Sequence, residues 1–159
     1  MSPVEELARL LRERQWMLST AESCTGGMIA AACTDVPGSS EWFDCGVVSY
    51  SYESKTELLG VDPAVLQAHG AVSEVVARAM AFGVVRRSRA RAAVAVTGIA
   101  GPGGGMPLKP VGTVWFAYMV DGQLSSEMRH FDGDRGAVRR ATVQHALQAL
   151  VERIARTPA

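Results

Sequence analysis

The sequence has no net charge: 16 Lys and Arg balance 16 Asp and Glu. That balance excludes the basic excess by which nucleic-acid binders grip phosphate backbones. No apolar run approaches the roughly 20 residues needed to cross a bilayer. The opening stretch, Met1-Ser2-Pro3-Val4-Glu5-Glu6, lacks the basic and apolar regions of a secretory signal. Cysteine is scarce, and Cys24, Cys33 and Cys45 form no CxxC pair. An odd number without close pairing excludes a complete disulfide frame and reads as reduced thiols in a cytoplasmic protein. No His, Cys or carboxylate cluster has metal-ligand spacing, so no metal is expected. There is no internal repeat and no linker.

Against those absences, 48% of the 159 residues are hydrophobic, enough for a proper core in a single domain spanning 1–159. Val4 to Arg14 repeats apolar residues at helical spacing. Trp16 to Thr20 reads as a strand, Gly26 to Thr34 as a helix, and Asp35 to Ser40 as a loop. Phe43 to Tyr50 is a strand and Glu53 to Leu59 a short helix stopped at Gly60. Ser73 to Arg87 is a stronger helix that Ser73 can cap. The nearly all-apolar run Ala92 to Thr97 fits a strand covered on both faces. A long Gly/Pro loop follows, Gly98 to Gly112. Strands Thr113 to Val120 and Leu124 to Phe131 are joined at Asp121-Gly122, a tight-hairpin signal. Asp134 to Arg156 is the last helix. Strands alternating with helices, then a hairpin, predict an α/β protein with a mixed sheet between helical layers.

Thr20-Ala21-Glu22-Ser23-Cys24-Thr25-Gly26-Gly27 concentrates reactive side chains in a strand-to-helix turn. Ser23 there can be a nucleophile if a base lies nearby, and turn amides can stabilise an anion. A plain Ser or Thr helix cap has the same local sequence. Lys55 is the best candidate base, provided burial or a neighbouring cation lowers its pKa; on the residues alone, a solvated surface lysine is the better-supported reading. Tyr50 can relay a proton or donate to an oxyanion. Nothing in the sequence brings His69, His130 or His145 to Ser23. Cys24 is a rival nucleophile, since Glu22, Lys55 and Cys24 have the composition of a cysteine amidase triad.

Thr97-Gly98-Ile99-Ala100-Gly101-Pro102-Gly103-Gly104-Gly105 leaves the apolar strand where open α/β sheets bind ligands. It is neither a Walker loop nor a dinucleotide fingerprint. Thr97, Gly98, Ala100 and Gly101 are its candidate substrate contacts. Gly133 to Arg140 opens the last helix, where three arginines, Arg135, Arg139 and Arg140, could hold a phosphate and Arg135 and Arg140 are the candidates taken; a capped helix with solvated arginines has the same sequence. The run Arg86-Arg87-Ser88-Arg89-Ala90-Arg91 reads as a solvated helix end.

In this order, the pieces resemble the C-terminal domain of the competence/damage-inducible protein CinA, a domain also found alone as nicotinamide-nucleotide amidase. The matching stretches are Thr20 to Gly27, Asp35 to Ser40, Gly46 to Ser51 with Lys55, Leu59-Gly60-Val61, His69 to Glu74, Val96 to Gly105, Lys109 to Trp115, and Gly133-Asp134-Arg135. The resemblance runs from about Leu7 to Leu150. It implies a three-layer α/β/α sandwich with a mixed, mostly parallel sheet, no metal or cofactor, and a homodimer. It implies hydrolysis of nicotinamide mononucleotide to nicotinic acid mononucleotide and ammonia, with Ser23 as nucleophile assisted by Lys55 and Tyr50. Glu22, Cys24, Thr25, Gly26 and Gly27 then border the substrate. The larger family protein's separate nucleotide-processing domain has no counterpart in these residues. One departure stands out: the family usually has asparagine where this chain has Tyr52. A non-catalytic nucleotide-binding module linked to competence or DNA damage is the alternative from another class.

Overall fold

In the computed structural model, which describes residues 1–159, each strand end that carries chemistry points the same way. The elements are α1 (Pro3–Arg14), β1 (Leu18–Glu22), α2 (Met28–Thr34), β2 (Phe43–Val48), α3 (Tyr52–Leu59), α4 (Pro63–His69), α5 (Glu74–Arg86), β3 (Ala92–Gly98), β4 (Thr113–Val120), β5 (Gln123–His130) and α6 (Arg135–Arg156). A short 3-10 turn, Ser39–Glu41, lies in the loop before β2. The sheet order is β2-β1-β3-β4-β5. β1 pairs in parallel with β2 and β3, while β4 runs antiparallel to β3 and β5. Four of the five strands therefore share one direction.

Alternation along β3 divides the core. Ala92, Val94 and Val96 pack with α1, α2 and α6 on one face. Ala93 and Ala95 join Ala21, Ala117 and residues of α3, α4 and α5 on the other. The alanines on that second face leave room for α5 to lie close to the sheet. Gly83 of α5 completes the fit: a methyl there would lie 2.9 Å from the Leu59 carbonyl carbon at the end of α3. The hairpin turn places Asp121 at φ 50° and Gly122 at φ 81°, the pair of positive angles that matches strand twist.

Three local expectations shift. β1 starts at Leu18 and runs to Glu22, because its buried end carries Ala21 and the charged Glu22 rather than an apolar run. Helix α4 was not expected; Asp62 caps it and Pro63 opens it, but Leu66 is its one buried residue. Ser73 precedes α5, yet its hydroxyl donates to the Gly70 carbonyl instead of capping the helix. No helix is long and apolar enough to cross a membrane.

Candidate active site

The site forms where β1, β2 and β3 end side by side. Register places Glu22 opposite Val48 on one side and Val96 on the other. Two further bonds extend that alignment: the Ser49 N–H donates to Glu22 O and the Ser23 N–H to Val96 O. The chain leaves β1 into α2 on one face of the sheet and β2 into α3 on the other. Adjacent strand ends that part in this way open a crevice.

Ser23 sits in that crevice, 8% exposed. Gly26 and Gly27 take φ of 61° and 105°, a left-handed turn that side chains resist, and it lets the chain reverse directly after the serine. Lys55 lies in the first turns of α3, which Ser51 and Ser54 secure by a reciprocal capping pair. Side chains on a helix lean toward its N-terminus, so the Lys55 amine reaches back over the strand ends. It donates to Ser23 Oγ at 2.9 Å, to Ser49 O at 2.7 Å and to Tyr50 O at 3.4 Å.

Lys55 is fully buried. None of the protein's ion pairs includes it. Burial without a compensating carboxylate disfavours the ammonium and lowers its pKa from 10.5 to about 8. The adjacent Cys24 thiol moves the other way: burial pushes it up to about 11. It packs tightly against the end of β3, where a methyl on Gly98 would lie 3.2 Å from Sγ. The serine has a base on its oxygen; the cysteine beside it is a protonated thiol.

The remaining predicted residues divide. Glu22 does not face the crevice as a free carboxylate. It accepts from Thr25 Oγ1 at 2.6 Å, from the Ile29 and Ala30 amides at 2.9 Å each, and from Thr20 Oγ1 at 3.3 Å. It thus caps α2 from the neighbouring strand and uses the Thr25 hydroxyl as well. The Thr97 hydroxyl donates to Ala71 O, and Ala100 is buried in the core. The amides of Cys24, Thr25 and Gly27 make no hydrogen bond within the chain, whereas that of Gly26 donates to Ser23 O.

Tyr50 is 63% exposed, and its hydroxyl accepts from Arg135 at 3.1 Å rather than meeting Ser23 or Lys55. Arg135 also donates to Gly101 O at 2.9 Å, so it joins the glycine loop to the end of β2 across the crevice rim. Arg140 lies elsewhere, lining a surface depression with Met28, Ala31, Ala32 and Asp35. Arg139 reaches the site instead: Nε donates to Cys24 O at 3.0 Å and Nη2 to Thr25 O at 3.2 Å. The signal for it was spacing, since residues four apart share a helix face and 139 is four beyond Arg135. The Tyr52 hydroxyl accepts from the Ala71 amide at 3.3 Å and makes no hydrogen bond to Lys55. His130 and His145 bond to Val111 O and Glu127, and no histidine meets Ser23. Arg86, Arg87, Arg89 and Arg91 are exposed. No three His, Cys, Asp or Glu side chains converge as a metal site.

A Pseudomonas putida protein named nicotinamide-nucleotide amidohydrolase PncC is 52% identical over 96% of this chain and 98% of its own length. The Escherichia coli K12 protein of that name is 48% identical over 92% of this chain and 89% of its own. A putative competence-damage inducible protein of Symbiobacterium thermophilum is 53% identical over 94% of this chain, which spans only 37% of that longer protein. The crystal structure of the competence damage-inducible protein A from Klebsiella pneumoniae superposes with a TM-score of 0.95 at 42% identity, covering 98% of this chain and 97% of that one. The model of the CinA C-terminal domain matches residues 2–154, and the chain belongs to that family.

Proposed function

We propose that this protein is a serine-lysine amidase. It hydrolyses the carboxamide of nicotinamide mononucleotide to nicotinic acid mononucleotide and ammonia. The observation that carries the mechanism is the buried Lys55 amine, 2.9 Å from Ser23 Oγ and without a carboxylate partner. The relatives named nicotinamide-nucleotide amidohydrolase support the substrate.

Neutral Lys55 takes the Ser23 proton as Oγ bonds to the carboxamide carbon. The unpartnered amides of Cys24, Thr25 and Gly27 receive the oxygen that becomes negative. The carbonyl re-forms, the C–N bond breaks, and protonated Lys55 gives its proton to the departing ammonia. Water then loses a proton to Lys55 and attacks the acyl-enzyme. The acid leaves and Oγ regains its proton. Arg135, with the Tyr50 hydroxyl and the glycine loop, borders the ribose and phosphate. Binding energy from that remote phosphate orients the amide, so free nicotinamide is a poor substrate.

The reading takes 1–159 as a single amidase domain, working as a homodimer in the cytoplasm. Its test is ammonia release from the mononucleotide, with mass spectrometry of trapped acyl-enzyme, for the wild type, Ser23→Ala and Cys24→Ala. Acylation lost in Ser23→Ala and kept in Cys24→Ala is expected. The reverse pattern moves the nucleophile to sulfur and rejects the proposal.

A further inference from the structure

Arg139 is a half-buried cation with no carboxylate partner. Its hydrogen bonds go to two consecutive carbonyls of the turn that follows the nucleophile, Cys24 O and Thr25 O. The two bonds are not equivalent. Thr25 O also accepts from the Met28 amide at 3.1 Å, so the first turn of α2 holds it independently. Cys24 O has no other hydrogen-bond partner in the chain. Cys24 and Thr25 are both buried, so water is a poor substitute.

A peptide unit is planar and trans, so its C=O and N–H point in opposite directions. Fixing Cys24 O on the guanidinium therefore fixes the Thr25 N–H on the far side of the same plane. That N–H has no partner in the chain. A charged donor on the carbonyl also polarises the peptide and strengthens its N–H as a donor.

We infer that Arg139 is a positioning residue for the reaction. Through the Cys24–Thr25 peptide it aims and strengthens the Thr25 N–H as an oxyanion donor. This rests on the Ser23 mechanism above. Arg139 touches neither substrate nor reacting atoms, and its contribution belongs to the charge that develops only during attack. Two predicted arginines of the same helix differ from it: Arg135 faces the crevice rim and Arg140 the outer surface.

The test compares Arg139→Ala and Arg139→Lys with the wild type for turnover of nicotinamide mononucleotide. Arg139→Ala is expected to lower kcat on the order of 10- to 100-fold, less than the loss of a whole oxyanion donor. KM should change little, and the pH midpoint of kcat/KM should stay put because Lys55 is untouched. Guanidinium chloride, well below denaturing concentration, should restore part of the lost kcat. Arg139→Lys can reach one carbonyl but lacks the fork, and should fall between the two. If Arg139→Ala does not fold, Arg139→Lys decides, by a fall in kcat at constant KM and thermal midpoint. Wild-type kcat in a folded variant overturns the inference. So does a loss without guanidinium rescue that tracks thermal stability, which would make Arg139 a brace. Full activity in Ser23→Ala would instead overturn the underlying mechanism.

Discussion

Lys55→Met removes one titrating amine and leaves a side chain of similar length. In the native protein that amine titrates at about 8 instead of 10.5, because burial strips its ammonium of water. At pH 7.5 about one molecule in four then holds a neutral lysine, against about one in a thousand for an ordinary one. The wild-type kcat/KM should rise with pH to a plateau, with its midpoint near the pKa of about 8. Stability should move in the same direction. Between those two pKa values the unfolded chain keeps a proton on Lys55 that the native protein has released, so stability rises with pH across that window. Below it both states are protonated and the burial cost is constant. Above it neither is, and the cost has gone. At about 1.4 kcal/mol per pKa unit, the wild type should gain roughly 3 kcal/mol relative to Lys55→Met from pH 7 to 11. Urea unfolding of both proteins across that range measures it, and the methionine variant cancels every other titrating group. A flat difference between the two curves, or an activity midpoint near that of a free lysine, refutes the buried neutral base.

Glu22→Gln should destabilise the protein by about 2 kcal/mol, because one of the Ile29 and Ala30 amides loses its buried acceptor. Chemical denaturation checks it, and an unchanged midpoint would mean that the cap carries no weight. Tyr52→Asn should leave turnover of the mononucleotide within about twofold and cost on the order of 1 kcal/mol, the worth of one hydrogen bond to Ala71. A large gain in turnover would show instead that Tyr52 restrains the site.

The fold was legible where local chemistry and burial agree. β3 is buried along nearly its whole length and reads as a continuous apolar run. The hairpin at Asp121-Gly122 has the backbone angles its residues favour. α4 was illegible by periodicity because one buried side chain makes no stripe, although Asp62 and Pro63 announced a helix start. The site was legible in its parts and not in its contacts. Ser23 and Lys55 are 32 residues apart, and only the parallel register of β1 with β2 brings the end of one strand to the helix after the other. Nothing local to Lys55 distinguishes a fully buried amine from a solvated one. That Glu22 caps α2 was not legible, because its partners, the amides at 29 and 30, are donors that side-chain patterns do not show.

The distribution of the site along the chain sets an order of assembly. A chain made from its N-terminus displays Ser23 early and Lys55 soon after, yet the serine turn is held on one side by β3 and clamped from the other by α6. Until residue 139 has emerged and the final helix has docked, the turn after the nucleophile lacks its clamp, and the stretch of β3 and β4 that α6 covers lies bare. Amidase competence therefore arrives when α6 docks, as a single event rather than a gradual gain. An interrupted chain that keeps both reactive residues would be sticky before it was active.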